Sequence, residues 1–490
     1  MKINLDFKLK SFTFLLTLFI SLHFAKIGVD LHHHGIMVNG AMGLLSQNGK
    51  IYREYYYHYG PITAFLHAIV FYIFGVKLVY IQVFTSIVYA ITSVLLFKLA
   101  RLLLNSRNSL LSVLIWIFFA PFYIIEMLPW SSVYILPLFI LIFIIVLKNK
   151  KNKYDFFYIG IFFGLIFLFR QSSGIIAFLG LISLIPFYTF KKVFISICAF
   201  ILIVFSAFLI LYKTGIFYEY YQSCFVGQKK MVLIENSSLV SSIKKIIIDV
   251  LSVSITDVWL TYSKSHFVPY FKYVYNIFLY VFIIFMIFKI IKKYRKKNLK
   301  SNYKLQVSIL ILSLISLSQM YPITCLRHYY WAFTPVIPII YFSIIQLLKY
   351  LYNYSNYLSR FFKYFLIFII LISISIRIEI GLRRTLELKQ DFVKLDKKKF
   401  PLLSGLYVPK SMSNFYDELY QNKDSIDKIV FYNDYNFEPY LIPFVISKPP
   451  TVKITYDQFK LLKVDSLSKK FISSTIYFPP DQILYYTKFR

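Results

Sequence analysis

The chain has 490 residues, of which 58% are hydrophobic and only 16% are charged, a composition that excludes an ordinary soluble globular protein. Its formal net charge of +33 would suit a nucleic-acid-binding protein. The excess of lysine and arginine lies in short loops between apolar segments, however, so we exclude nucleic acid as a partner. Three cysteines, Cys198, Cys224 and Cys325, provide neither a disulfide framework nor a metal-site spacing.

Apolar segments of close to twenty residues recur along the chain, and each can cross a hydrocarbon core of about 30 Å. The first resembles a signal peptide, but no small-residue cleavage site follows it, so we interpret it as an uncleaved span. The segment 61–75 is apolar but short, and we place it as a helix at the membrane interface. We predict about eleven spans: 11–28, 78–97, 108–125, 131–147, 155–169, 174–190, 193–212, 269–288, 305–321, 333–348 and 364–378.

The loops between these spans alternate in charge. One set of alternate loops holds 23 Lys and Arg in 58 residues. The other set, formed by 26–77, 126–130, 170–173, 213–268 and 322–332, holds 12 Lys and Arg in 128 residues. Because cationic short loops stay in the cytoplasm, the first set is predicted to lie inside, together with the N-terminus. The cationic loops are 2–10, 98–107, 148–153, 191–192, 289–304 and 349–363.

An odd number of spans places the end of the chain outside the cytoplasm. We therefore predict a transmembrane domain over 1–378, with its first outer loop at 29–61, and an extracytoplasmic C-terminal domain over 379–490. The tail begins with an amphipathic helical pattern, has a capped helical pattern at 413–420, and has strand patterns at 428–433 and 452–456. The predicted fold class is thus an all-α polytopic membrane protein with a small α/β C-terminal domain.

This topology gathers many ionisable and polar residues at the outer ends of the spans. Such groups beside apolar helices are costly unless they are paired or used, so their convergence predicts a functional site. For each residue alone, the alternative is interfacial snorkelling or a structural ion pair. The set is Asp30, His32, His33, His34, Glu54, His58, Glu126, Arg170, Gln171, Arg327 and His328.

The first outer loop is the richest of these regions. Asp30 directly follows the first span, and the apolar pattern over 37–45 predicts a short helix along the membrane. Gly60 and Pro61 then open the next apolar helix, with proline in its first turn.

Three consecutive histidines, 32–34, raise the question of a metal site. Adjacent residues point in different directions, so at most two of them could share one ion, and the spacing is not that of a known zinc site. We favour hydrogen bonding to Asp30, phosphate or sugar. No cofactor is assigned, although a divalent metal stays open.

Short motifs follow one another in order over residues 10–350. They are DLHHHGIM at 30–37, YRE at 52–54, YGPIT at 59–63, FG at 74–75, FRQSSG at 169–174 and RHYYW at 327–331, with IVFYND at 429–434 and PFVISKPP at 443–450 in the tail. In order and topology they resemble the integral membrane glycosyltransferases of the C superfamily (GT-C), and especially their bacterial dolichyl-phosphate-mannose-transferase-like group. One departure is His34, which stands where the family pattern often has an acid.

The resemblance implies transfer of a sugar from a polyprenyl-phosphate donor to a cell-surface glycan, lipid or protein acceptor, at the outer face of the cell membrane. Asp30 is then the general base, with Glu54 as a second catalytic carboxylate. Cations are needed to receive the charge that grows on the leaving phosphate, and Arg170, Arg327 and His328 are the candidates. The candidate substrate-binding residues are His32, His33, His34, His58, Tyr59, Trp130 and Gln171.

Two other classes stay open at this point. One is a polysaccharide polymerase or ligase, for which we would expect a large outer loop late in the chain and no acid directly after the first span. The other is a lipid-linked oligosaccharide transporter or flippase, which typically has internal repeats and charges at mid-membrane. The outer-face charges and the soluble tail favour the transferase.

Overall fold

The computed structural model of the protein is a bundle of α-helices with two very small sheets. It describes residues 5–30, 33–46, 51–53, 55, 57–123, 126–148, 154–183, 188–226, 302–317, 319, 326–421, 428–430 and 475–477. The predicted span 269–288 and the predicted strand 452–456 lie outside the described residues.

Ten helices cover the first half of the described chain. They are α1 (Leu5–Phe24), α2 (His33–Leu45), α3 (Pro61–Phe74), α4 (Leu78–Arg101), α5 (Ser106–Phe118), α6 (Ser131–Tyr134), α7 (Leu136–Leu147), α8 (Asp155–Phe169), α9 (Gln171–Ser183) and α10 (Phe190–Lys213). A 3₁₀ turn, Pro121–Tyr123, follows α5. The short helix predicted in the first loop is confirmed as α2, and Pro61 does occupy the first turn of α3.

The second half adds a short helix, four longer helices and the tail. Its elements are α11 (Phe217–Tyr221), a π-helical turn (Gln222–Val226), α12 (Asn302–Leu317), α13 (Leu326–Phe333), a 3₁₀ turn (Thr334–Val336), α14 (Ile337–Tyr354), α15 (Asn356–Gln390), β1 (Phe392–Lys394), β2 (Tyr407–Pro409), α16 (Lys410–Gln421), β3 (Lys428–Val430) and β4 (Thr475–Tyr477). β1 pairs with β2 antiparallel, and β3 pairs with β4 parallel. The helix and strand predicted in the tail are confirmed as α16 and β3.

Four stretches of the described chain are long and apolar enough to cross a membrane by themselves: Leu78–Arg101, Phe190–Lys213, Arg327–Tyr354 and Asn356–Gln390. Six shorter apolar helices accompany them. Buried aromatic side chains pack the bundle interior. Trp116 of α5 stacks on Tyr330 of α13 with ring centroids 5.6 Å apart, and its indole N–H donates to Thr334 at 2.9 Å. The middle of the bundle is thus a single apolar core that joins early and late helices.

The last long helix, α15, contains 35 residues and runs without a break through the predicted domain boundary at 378/379. At about 1.5 Å per residue it is longer than a bilayer core is thick, so it carries the chain from the bundle into the tail. Two arginines anchor its final turns. Arg377 donates to the Ala120 carbonyl at 3.5 Å, and Arg384 donates to the Phe122 carbonyl at 3.1 Å.

Beyond α15, the tail folds back onto the segment that follows α1 and onto α3 and α4. The backbone of Tyr407 donates to the carbonyl of Lys26 at 2.8 Å and accepts from Gly28 at 2.9 Å, and Leu78 donates to the carbonyl of Leu402 at 2.9 Å. Apolar side chains from both parts then share one core, which we call the tail core. Its buried members include Val29, Val38, Ala68, Phe71 and Leu78, with Leu395, Phe400, Leu403, Leu406 and Val408 from the tail.

We expect the tail core to stabilise the first loop. Leu403 is fully buried, so Leu403→Ala should cost about 2–5 kcal/mol and lower the thermal unfolding temperature in detergent. Leu382→Ala, at an exposed leucine on α15, is the matched control and should leave that temperature nearly unchanged. Equal unfolding temperatures for the two variants would contradict this prediction.

Candidate active site

A short irregular segment, residues 126–132, connects the polar side chains at the end of the bundle that carries Asp30. We call it the bridging segment. Its first five residues are non-helical, and α6 begins at Ser131. A break between helices leaves backbone carbonyls without helical partners, so side chains from other elements can bind there.

Asp30 follows α1 and is only 1% exposed. Its Oδ1 accepts a hydrogen bond from the backbone N–H of His33, and its Oδ2 contacts Nδ1 of the same histidine, both at 2.8 Å. The first bond is the one that a capping carboxylate makes at the start of a helix, where negative charge is favoured. Asp30 and His33 therefore form a buried carboxylate–imidazole pair at the start of α2.

His34 joins the same helix start to the bridging segment. Its Nδ1 accepts from the backbone N–H of Asp30 at 2.9 Å, so Nε2 carries the proton of the neutral ring and donates to the Met127 carbonyl at 3.0 Å. Burial lowers the pKa of His34 to about 4, which keeps the ring neutral near pH 7. With both nitrogens bonded inside the protein, His34 holds Asp30 in position.

Glu126 and Arg327 form an ion pair beside this contact. The Nη2 of Arg327 lies 3.6 Å from Oε2 of Glu126 and donates to the Glu126 carbonyl at 3.3 Å. Gly28 packs against the same glutamate with φ +80°, and a Cβ at Gly28 would lie 2.7 Å from Cγ of Glu126. Only glycine fits this position, two residues before Asp30.

Trp130 is the aromatic centre of the site. Its ring centroid lies 4.8 Å from that of His33, 5.7 Å from that of Tyr59 and 5.6 Å from that of His328. Trp331 packs edge-on at 5.7 Å. One indole thus brings together side chains from the first loop, the segment before α3, and α13.

Arg170 occupies the predicted break between α8 and α9, which the structure confirms. Its Nη1 donates to the hydroxyl of Ser132 at 2.6 Å and to the carbonyl of Gln319 at 3.2 Å. The neighbouring Gln171 points elsewhere, because its amide donates to the Tyr220 hydroxyl at 3.2 Å. Arg170 therefore meets the bridging segment, whereas Gln171 lies against α11.

Tyr59 and His58 precede α3, with ring centroids 4.2 Å apart. They are held close to the end of α8 through Gly60. A Cβ built on Gly60 would lie 1.8 Å from the Leu168 carbonyl oxygen, so only glycine permits this approach. The contact fixes Tyr59 where its ring can reach Trp130.

The structure thus brings most of the predicted site residues to the bridging segment or to side chains that touch it. Tyr59 contacts Trp130 of the bridging segment, and His58 contacts Tyr59. Gln171 points away from the bridging segment, toward Tyr220. His32 and Glu54 lie outside the described residues. The residues that meet the segment or belong to it are Asp30 (through His34), His33, His34, Trp130, Arg170, Arg327 and His328.

Sequence reasoning missed the part that Glu126 plays. From the sequence, this acid is predicted to lie on the outer face, without a specific role. Its pairing with Arg327 joins residues 201 positions apart in the chain. The signal was an acid at a span end followed by the polar Trp130–Ser132 stretch. Within the described part of the chain, no group of three or more His, Cys, Asp or Glu side chains could hold a metal ion.

An apolar helix bundle with several helices long enough to cross a bilayer has the architecture of an integral membrane protein. A family model described as Dolichyl-phosphate-mannose-protein mannosyltransferase matches residues 58–211. No curated protein sequence matches the chain.

Among solved structures, ArnT from Cupriavidus metallidurans bound to undecaprenyl phosphate has a TM-score of 0.50 at 10% identity, over 97% of this chain and 93% of ArnT. Its apo state has a TM-score of 0.50 at 10% identity, over 96% and 88%. Archaeoglobus fulgidus AglB has a TM-score of 0.48 at 11% identity, over 90% and 64%. The chain therefore shares the fold of ArnT. The family match over 58–211 confirms the resemblance of that part of the chain to the dolichyl-phosphate-mannose-transferase-like group.

The neutral state of His34 makes stability depend on pH. The folded ring has a pKa of about 4, whereas the unfolded chain binds a proton below about pH 6.5, so the stabilisation is complete above pH 6.5 and is lost as the pH falls toward 4. Lowering the pH from 7.5 to 5 should cost about 2 kcal/mol through His34 alone. The measurement is the unfolding temperature in detergent across this range.

His34→Asn is the variant that tests this prediction. It should be less stable at pH 7.5 but should lose less stability on acidification. Part of the pH dependence should persist, because burial also lowers the pKa of His58, to about 3. An equally steep loss of stability in the wild type and in His34→Asn would contradict the assignment.

Proposed function

We propose that this protein is a glycosyltransferase of the GT-C type, which moves a sugar from a polyprenyl-phosphate donor to a cell-surface glycan, lipid or protein acceptor. The observation that carries the proposal is the bridging segment, which joins a carboxylate–imidazole pair to two buried guanidinium groups. The fold shared with ArnT and the family match over 58–211 support it. The transferred sugar is proposed to be a hexose.

The donor phosphate is proposed to lie near Arg170, Arg327 and His328. Both arginines are more than nine-tenths buried and are held by carbonyl groups, so their positive charge is already in place when a substrate arrives. A guanidinium suits a phosphate because it offers parallel N–H donors. These cations would stabilise the negative charge on the polyprenyl phosphate as it leaves.

The acceptor hydroxyl is proposed to lose its proton to the basic group formed by Asp30, either directly or through the imidazole that it binds. Glu54 is the second proposed carboxylate. Trp130 and Tyr59 offer faces on which a sugar can stack. The remaining substrate-binding residues of the proposal are His32, His33 and His58, with His34 holding Asp30 in position. Gln171 lies against α11 and is not part of this group.

For the membrane topology we propose about eleven spans, a cytoplasmic N-terminus and an extracytoplasmic α/β domain over 379–490. The distribution of Lys and Arg between the loops supports this orientation. The contact of Tyr407 with Lys26 and Gly28 supports placing the tail on the same side as the first outer loop.

The central test uses cells from which the gene for this chain has been deleted. We expect these cells to lose one sugar from a surface glycan, lipid or protein and to accumulate its polyprenyl-phosphate donor, as measured by mass spectrometry. The wild-type gene should restore the sugar, and Asp30→Asn should not.

Asp391→Asn is the matched control, because this carboxylate is exposed and lies at the end of α15. It should restore the sugar as fully as the wild type does. Unchanged surface glycans in the deletion strain would overturn the proposed function. Full restoration by Asp30→Asn would remove Asp30 from the mechanism.

The orientation can be tested with single cysteines in a chain whose three native cysteines are replaced by serine. A membrane-impermeant thiol reagent should label Lys397→Cys, in the tail, on intact cells. It should label Lys297→Cys, in the cationic loop 289–304, only after the membrane is opened. Labelling in the opposite order would contradict the proposed orientation.

A further inference from the structure

Asp30 is poorly placed to meet a substrate directly. Its side chain is almost completely buried, and each of its two carboxylate oxygens contacts an N–H group of His33 or the ring nitrogen Nδ1 of the same residue. A base must lie within hydrogen-bond reach of the proton that it removes. Because the carboxylate is almost completely buried, it would have to move out of these contacts to reach a substrate.

His33 is placed differently. Its side chain is 17% exposed, and its ring lies against Trp130, the residue that also contacts His328 among the proposed phosphate-binding groups. Because Nδ1 faces the carboxylate, the neutral ring carries its proton on Nδ1 and its lone pair on Nε2. The carboxylate holds that tautomer and the orientation of the ring.

We propose that Nε2 of His33 is the atom that takes the proton from the acceptor hydroxyl, and that Asp30 is its positioning residue. This inference rests on the proposed function and names the proton acceptor within that site. His33 is thereby proposed as a catalytic residue, whereas the motif at 30–37 indicates only the carboxylate of Asp30 as the base.

The reaction balances as a single displacement. The acceptor oxygen forms a bond to the anomeric carbon while the bond from that carbon to the donor phosphate oxygen breaks, and its electron pair leaves on the polyprenyl phosphate. The acceptor proton moves to Nε2 of His33. The resulting imidazolium is stabilised by the negative charge of Asp30 and then releases the proton to water.

The surrounding contacts favour this arrangement. His34 and the Met127 carbonyl fix the backbone of Asp30, so the carboxylate cannot easily move toward a substrate. His58 lies close enough to His33 for its pKa to be lowered further by that neighbour, in addition to the lowering by burial. His58 therefore stays neutral and does not compete electrostatically with an imidazolium at His33.

The test uses membranes of the deletion strain, which contain the native acceptor, after expression of each full-length variant. The probe is a panel of undecaprenyl-phosphate-linked hexoses, and the readout is the release of undecaprenyl phosphate. His33→Ala should lower kcat by roughly 10²–10⁴, the usual contribution of a general base, and added imidazole should restore part of the rate. Asp30→Asn should also be slow but should not respond to imidazole, because the His33 ring still occupies the position.

Two further variants separate catalysis from structure. His33→Asn retains an N–H donor for the carboxylate, so a purely structural histidine would leave this variant active, whereas a proton acceptor would not. Asp30→Asn combined with His33→Ala should be no slower than His33→Ala alone, because the two residues act as a unit. His23→Ala, at a histidine that contacts Thr385 on α15, is the control for imidazole effects.

The outcomes separate the two proposals. If the wild type releases no undecaprenyl phosphate from any donor, both the proposed function and this inference fail. If the wild type is active and His33→Asn retains its rate within about threefold, the transferase proposal stands and the assignment of His33 is overturned. Loss of activity in His33→Ala without any recovery in imidazole would also overturn the assignment.

Discussion

Where helices break, backbone carbonyls lose their helical partners and must be hydrogen-bonded by other groups. The structure at the end of the bundle that carries Asp30 depends on meeting this requirement. Irregular backbone among apolar helices is stable only when its polar groups are bonded, and buried cationic or imidazole side chains bond them here. Arg327 donates to the carbonyl of Glu126, His34 donates to the carbonyl of Met127, and Arg170 donates to the carbonyl of Gln319. Nearer the tail, Arg377 donates to the carbonyl of Ala120 and Arg384 donates to the carbonyl of Phe122.

The same contacts that satisfy the backbone also preorganise the proposed site. A guanidinium held by a carbonyl does not have to be ordered when a substrate binds, and donors fixed in advance stabilise developing charge most effectively. Arg170 and Arg327 are both held in this way, by the carbonyls of Gln319 and Glu126. The structural and the proposed catalytic roles of these residues therefore coincide, because one guanidinium can bond a backbone carbonyl and also bind a phosphate.

The tail adds a second constraint on the first loop. The backbone of Tyr407 pairs with residues 26–28, and the tail core packs against Val29, directly before Asp30. The start of α2 is thus held from one side by the tail and from the other by the bridging segment. This arrangement explains how the connection between α1 and α3 can keep a carboxylate–imidazole pair in a defined position.

Much of the local structure could be predicted from the sequence. Apolar length and periodicity indicated the helices, and proline, glycine and the lone Arg170 indicated where helices begin or break. These signals are local, since they depend on neighbouring residues and on the thickness of the bilayer. The positive charge of particular loops is equally local, which is why it can indicate orientation without any knowledge of packing.

The sequence by itself thus determined a helical membrane protein and the residue types available at one end of its bundle. Only the tertiary structure decided which of them meet. The pairing of Glu126 with Arg327, the packing of His33 against Trp130, and the docking of the tail on residues 26–29 join positions far apart in the chain. Such contacts follow from how whole helices pack, and no periodicity or motif encodes them locally.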